Sequence, residues 1–277
     1  MPDLSASALA CTEMAAKPPQ VTGMNRSEDL GIVQQMKRDL DRRLARFFNR
    51  SPVELKQGVA CVSVTFDDVP MTACRLGAEI VESQGARATF FVSGKFDSAH
   101  DPERFHTSKI LRDLNSRGHE IGCHGFGHLQ YQNALQQNII ADISANRSYF
   151  QYAGLPEAKS FAYPFGGVSP SVKRICGNYY SVCRGINAGI NQRMMDSGLL
   201  RAVPLYDSRW STAKSKKILQ RVKQEGGLLV FFSHGIETNP GDYDCSPKLL
   251  ETTLKIADDL GVEIKSLSKA VPFVSLS

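Results

Sequence analysis

From Gly58 onward, short apolar runs of β-type residues alternate with longer stretches of helical period, and this alternation restricts the chain to a parallel sheet with helical crossovers. The strand-like runs fall at residues 59–66, 88–92, 120–123, 160–163, 181–183, 199–203, 228–232 and 263–265. Between them lie helical stretches at 74–83, 108–117, 133–152, 171–178, 212–225 and 247–260. Seven or eight such units in about 210 residues fit a (β/α) barrel better than an open sheet. The fold class expected is therefore α/β, with one large domain over residues 58–277.

Ahead of this domain, residues 1–57 read as an N-terminal extension. Residues 1–27 are rich in Ala, Ser, Pro and Thr without a sustained period, which describes a loosely packed leader. Ser27-Glu28-Asp29 then opens one amphipathic helix that runs to about Asn49, with Ile32, Met36, Leu40, Leu44 and Phe47 spaced three or four apart. That stripe is expected to pack on the main domain, with a partner-binding helix as the second reading. A net charge of +5, spread along 277 residues, gives no reason to expect a nucleic-acid partner. The seven cysteines (Cys11, Cys61, Cys74, Cys123, Cys176, Cys183 and Cys245) contain no Cys-x-x-Cys pair and are odd in number. They are expected to be buried thiols, not a zinc cluster or a disulfide framework. No basic-then-apolar leader and no apolar run near 20 residues is present, so a cytoplasmic protein without a membrane span is expected.

The chemistry-bearing residues fall just beyond strand ends. Asp67-Asp68, His124, Tyr163-Pro164-Phe165-Gly166 and His234 all sit where barrel strands finish, the face on which barrel enzymes build active sites. His124 and His128 are four residues apart with Gly125 and Gly127 between them, so a loop or tight turn can aim both rings at one point. Two imidazoles and one carboxylate form a facial set for Zn²⁺ or a similar divalent ion. Neighbouring strand residues point in different directions, so Asp67 and Asp68 can divide the work, one on the metal and one facing the substrate water. An isolated Asp-Asp pair more often caps a turn, here the one at Pro70. His234 ends an apolar run and is placed to protonate a leaving amine, with a hydrogen-bonded core histidine as the alternative. His100, His106 and His119 have no ligand spacing and read as structural.

Taken together, these motifs resemble the polysaccharide deacetylases, also called carbohydrate esterase family 4 or the NodB-homology group, over about residues 59–271. The resemblance implies a distorted (β/α) barrel and a metal-dependent enzyme that removes N-acetyl groups from amino sugars of an oligo- or polysaccharide, releasing acetate. It implies Asp67 as general base, Asp68, His124 and His128 as ligands of one divalent ion (Zn²⁺ first, then Co²⁺, Ni²⁺ or Mn²⁺), and His234 as general acid. It further implies a backbone N–H of Phe165 for the oxyanion and Trp210 in the substrate wall. The Trp210 and Tyr163 rings offer faces for sugars, with core packing as the alternative, favoured for Tyr163. Three positions depart from the family pattern. Ala162 stands where an arginine normally pairs with the base, Gly125 where Ser or Thr is usual, and Phe232 where Leu is usual. Arg184 or Arg209 is the candidate to replace the missing cation. Two rival readings are a hydrolase of a small non-sugar amide and a catalytically silent glycan-binding homologue.

Overall fold

A computed structural model of the chain describes residues 32–98, 101 and 103–276. The expected leader, the helix start at Ser27-Glu28-Asp29, Cys11 and His100 lie outside the described residues. In chain order the elements are α1 (Ile32–Ala45), β1 (Pro52–Glu54), β2 (Ala60–Asp67), α2 (Ala78–Ser83), β3 (Thr89–Val92), α3 (Ser108–Ser116), β4 (Glu120–Cys123), α4 (Gln136–Tyr152) and β5 (Ser160–Ala162). They continue with α5 (Pro170–Gly177), β6 (Val182–Arg184), β7 (Met194–Asp196), β8 (Val203–Pro204), α6 (Thr212–Glu225), β9 (Gly227–Ser233), α7 (Pro247–Asp259), β10 (Glu263–Ile264) and α8 (Leu267–Val274).

Seven strands form one parallel sheet in the order β6-β5-β4-β3-β2-β9-β8, and β10 pairs with the first residues of β2. The two edges of this sheet are joined by a single segment. Leu200 bridges Arg184 of β6, and three residues later Val203 pairs with Phe231 of β9. The sheet thereby curls into a distorted (β/α) barrel, and the strand expected at 199–203 is divided between two neighbours. Along β2, Val62, Val64 and Phe66 face the helices, while Cys61 belongs to the interior cluster with Phe91, Val230 and Phe232. With both faces covered, the strands read as nearly continuous apolar runs. Period two then carries Asp67 to the inward side at the strand's end.

Two parts of the architecture differ from the sequence reading. β1 and β7 form a separate antiparallel pair, Val53 opposite Met195, which knits residues 52–54 to a loop far along the chain. α8 closes the interior: Leu267, Ala270, Val271 and Val274 join the inner core. Its start is fastened where Leu267 N–H donates to Thr89 Oγ1 and Ser268 N–H to Glu120 Oε2, both at 2.8 Å. The helical expectations elsewhere agree within a few residues. The described cysteines are free and buried, and among the described residues no helix is long and apolar enough to cross a membrane.

α1 corrects the expected packing of its stripe. Of the stripe, Met36, Leu40 and Phe47 are exposed and Leu44 is half-buried, while the side of the helix on the domain is Ala45 with the half-buried Gln35, Arg38 and Arg42. The reason lies in what it meets. The turns beneath it present polar groups, so Arg42 donates to Phe165 O at 3.4 Å and Gln132 Nε2 donates to Arg38 O at 2.7 Å. The last turn is held by buried Lys173, whose ammonium donates to Ala45 O (2.9 Å) and Phe48 O (3.2 Å) and pairs with Asp196. A cation at a helix C-terminus satisfies carbonyls that have no intrahelical partner. Replacing Lys173 with Ala is expected to lower stability by about 3 kcal/mol in urea unfolding, because Asp196 then loses its buried partner. An unchanged midpoint would show that α1 is held by other contacts.

Candidate active site

β2 delivers Asp67 as its last residue, and the chain then turns sharply, with Asp68 and Val69 at φ of 59° and 53°. That turn sends the two carboxylates in different directions. Two strands away, His124 extends the β3–β4 ladder, its N–H donating to Val92 O at 2.9 Å. The following loop is shaped by Asp142 of α4, which accepts from Phe126 N–H (2.9 Å), Gly127 N–H (2.7 Å) and Tyr131 Oη (2.8 Å). Gly125, at φ of 72°, is required here, because a Cβ would lie 2.5 Å from Asp142 Oδ2. The loop returns His128 beside His124, their rings 4.9 Å apart between centroids.

Asp68, His124 and His128 converge on one point. Their potential ligand atoms all lie within 4.8 Å of one another. Asp68 Oδ1 is 3.2 Å from His128 Nε2 and 3.7 Å from His124 Nε2, yet it is a buried acceptor without a hydrogen bond. His124 Nδ1 lies 2.7 Å from Ala162 O. A carbonyl only accepts, so the proton sits on Nδ1 and the Nε2 lone pair faces Asp68. Burial pushes both imidazoles down to about 4, which keeps them neutral and ready to ligate near pH 7. Burial, with the like charge of Asp67, pushes Asp68 up, so a cation placed here would relieve a carboxylate that the protein alone leaves unsatisfied. An orphaned carboxylate oxygen and two neutral imidazoles fit a divalent metal.

Asp67 has a different partner. Its Oδ1 accepts from Arg184 Nη2 in a pair with both side chains buried. The guanidinium stacks on Phe91 and Phe232, 5.3 and 4.8 Å from the ring centroids. Burial pushes the Asp67 carboxyl up, but the charge of Arg184, the imidazoles of His124 and His234 and the Arg184 hydrogen bond outweigh it and hold the group below the ordinary carboxylate range. Of the two candidates named from sequence, Arg184 is therefore the cation beside Asp67. Arg209 instead lies over the Tyr243 ring at 6.0 Å. Ala162 and Arg184 are register partners on adjacent parallel strands, so the arginine comes from the next strand at the matching height.

His234 follows β9 with its Nε2 3.9 Å from Asp68 Oδ2 and its Nδ1 3.3 Å from Tyr243 O. Tyr206 and Tyr243 flank it, with ring centroids 5.9 and 5.8 Å away. Phe165 sits at φ of 57° in the Pro164–Gly166 turn, its half-exposed ring edge-on to His128 at 4.4 Å. Asp67, Asp68, His124, His128, Phe165 and His234 thus share one site.

Two aromatic expectations are corrected. Tyr163 is buried in the core against Phe161, and its hydroxyl donates to Gly198 O at 2.9 Å, so no ring face is open to a sugar. Trp210 packs on Phe231, a helix-facing residue of β9, and its N–H donates to Ser215 Oγ at 2.9 Å. It lies behind the strand, on the side away from Arg184 and Phe232. Tyr206 and Phe96, beside His234 and His128, were not foreseen, although Tyr206 shares the signal of following a strand end. Tyr243 lies in the 242–245 segment after His234, with its ring against that imidazole. Away from the site His119 is structural, accepting from Ala88 N–H at Nδ1 and meeting Glu82 through Nε2.

Comparison with known families matches residues 55–179 to "Polysaccharide deacetylase". This segment of the chain, 55–179, is similar to the polysaccharide deacetylases. Its curated relatives include a chitooligosaccharide deacetylase from Azorhizobium caulinodans, 26% identical over 123 residues that make up 44% of this chain and 55% of that protein. Another is a peptidoglycan-N-acetylglucosamine deacetylase from Bacillus cereus, 27% identical over 120 residues, 43% of this chain and 53% of that one. The chain spans about half the length of these relatives. Solved structures of the same fold include a family 4 carbohydrate esterase from Bacillus anthracis, with a TM-score of 0.55, 16% identity and coverage of 88% of this chain and 95% of that one. A family 4 pseudoenzyme from the same organism has a TM-score of 0.52 at 17% identity, covering 77% of this chain and 66% of that one.

The polysaccharide deacetylase match stops at residue 179, short of both Arg184 and His234, so the geometry supplies what it does not reach. Replacing Arg184 with Met is expected to move the Asp67 carboxyl titration upward, because burial then acts without the neighbouring guanidinium. Carboxyl-selective NMR on the purified chain would measure it, and an unmoved titration would remove Arg184 as the group that sets this charge.

Proposed function

We propose that the chain is a metal-dependent N-deacetylase of amino-sugar residues in an oligo- or polysaccharide, releasing acetate. The observation that carries this reading is the division of labour at one point: an arginine-held Asp67 stands beside the Asp68, His124 and His128 cluster, with His234 on the neighbouring strand end. Similarity to a chitooligosaccharide deacetylase and a peptidoglycan-N-acetylglucosamine deacetylase supports the substrate class. Half-exposed Phe165 and Tyr243, against His128 and His234 respectively, supply aromatic faces of the kind that stack on sugars.

In this mechanism Asp68, His124 and His128 would hold the divalent ion, and Zn²⁺ would suit their donors best, with Co²⁺, Ni²⁺ or Mn²⁺ as substitutes. When bound, the ion supplies Lewis-acid chemistry that polarises the acetamide carbonyl. Asp67 accepts the proton of the attacking water, and Arg184 keeps its carboxylate ionised and aimed. The Phe165 N–H donates to the oxygen that gains negative charge. His234, with Nδ1 turned to Tyr243 O, presents Nε2 to protonate the departing amine. The silent-homologue reading drew its support from the missing family arginine, and the Arg184–Asp67 pair removes that support.

Metal analysis combined with acetate release from N-acetylated chitooligosaccharides tests this reading. The purified chain is expected to hold about one divalent ion, lost in His124→Ala and His128→Ala. Asp67→Asn is expected to keep the ion and lose about 10²-fold or more in kcat, whereas Asp68→Asn weakens metal binding. Reversed behaviour would exchange the two roles, and full metal content in both histidine variants would end the ligand assignment.

A second experiment isolates His234. Its replacement by Ala is expected to reduce kcat/KM far more for an N-acetylated oligosaccharide than for an aryl acetate, since an amine leaves only when protonated and a phenolate does not need that help. Equal losses on both substrates would instead mark His234 as a structural residue.

A further inference from the structure

α1 presents to solvent the side that a helix normally buries. Met36 is 67% exposed and Leu40 55%, and beyond the helix end Phe47 and Phe48 are 74% and 56% exposed. At about 100° per residue, Met36 and Leu40 lie roughly 40° apart on the helix, with Arg43 about 20° to the other side of Met36. The opposite side is fastened to the barrel through Ala45 and Phe48 carbonyls on Lys173, Arg42 on Phe165 O and Gln132 on Arg38 O. The apolar face is therefore held outward by contacts on the polar one.

Charge is concentrated in the same place. Residues 32–50 carry six cations (Lys37, Arg38, Arg42, Arg43, Arg46 and Arg50) against Asp39 and Asp41, a net +4 in a chain whose total is +5. Arg46 and Arg50 continue into a cleft of about 810 Å³ that Arg193, Arg201 and Arg221 also line, with Asp196 and Glu225 as its carboxylates. A second copy of this chain would set +4 against +4. A dissolved polyanion would meet the cations but leave two phenylalanines, a leucine and a methionine in water. A purely apolar partner would strip water from Arg43 without return. One environment offers anionic groups and an apolar layer at adjacent depths, and that is the headgroup zone of an anionic bilayer.

We propose that α1 and the Phe47-Phe48 turn form a docking face for an anionic lipid surface, with the apolar stripe entering the interface and Lys37 and Arg43 meeting lipid phosphates. Long cationic side chains suit this position, because their stems lie along apolar material while their heads stay hydrated. The inference does not rest on the catalytic reading.

Co-sedimentation of the full chain with vesicles tests it. Binding is expected to vesicles containing phosphatidylglycerol, not to pure phosphatidylcholine, and to weaken in about 0.5 M salt. Phe47→Ser/Phe48→Ser and Lys37→Glu/Arg43→Glu are each expected to weaken partitioning about tenfold or more while thermal unfolding stays unchanged. Absence of binding to the anionic vesicles overturns the proposal, as does binding that the serine pair retains, which would mark a purely electrostatic polyanion site. A chain that self-associates through Phe47 and Phe48 without sedimenting would also overturn it, in favour of a second copy.

Discussion

A carboxylate buried among Phe91, Phe232 and Tyr206 would take up a proton and lose its charge, and the Arg184 guanidinium opposes this at Asp67. The pair constrains more than its own two residues. Arg184 is the last residue of β6 and also the residue that bridges Leu200, where the curled sheet meets its other edge. Closing the barrel and keeping Asp67 charged therefore depend on the same short strand. A buried ion pair contributes little net stability when both partners are present, and its removal on one side is costly. Its value here is positional, since it fixes where negative charge stands beside the histidines.

Around that pair the site is held mainly by backbone atoms and by residues that never touch a substrate. Ala162 O sets the His124 tautomer, Tyr243 O meets His234, and Asp142 gathers the loop that joins His124 and His128. Such partners orient ligands as firmly as the ligands hold an ion. They also explain how Gly125 takes a place where a hydroxyl residue is usual, because the Asp142 carboxylate fills the space a side chain would need.

Much of this was legible in the chain because strand and helix periods are local. The barrel strands, the six helices between them and the residues at the strand ends follow from alternation and spacing within short windows. α8 was not legible, because it is short, apolar and carries Pro272 inside. The β1–β7 pair joins three-residue strands some 140 residues apart, and no local signal marks it. For α1 the stripe was visible, but not the direction it faces, which the polar turns beneath it decide. Choosing between Arg184 and Arg209 required register across strands, and Trp210 shows the converse error, an aromatic residue near the right loop that lies behind the strand.

The register of Ala162 with Arg184 carries a broader consequence. Neighbouring strands stand about 4.8 Å apart, less than an arginine side chain can reach, so one guanidinium position in the barrel mouth is accessible from either of two strands. Because His124 is supported by the carbonyl of residue 162 and not by its side chain, that position can exchange arginine for alanine without disturbing the histidine. A motif that demands arginine on the fifth strand would therefore find no cation in this chain, while a search by charge in space would find Arg184.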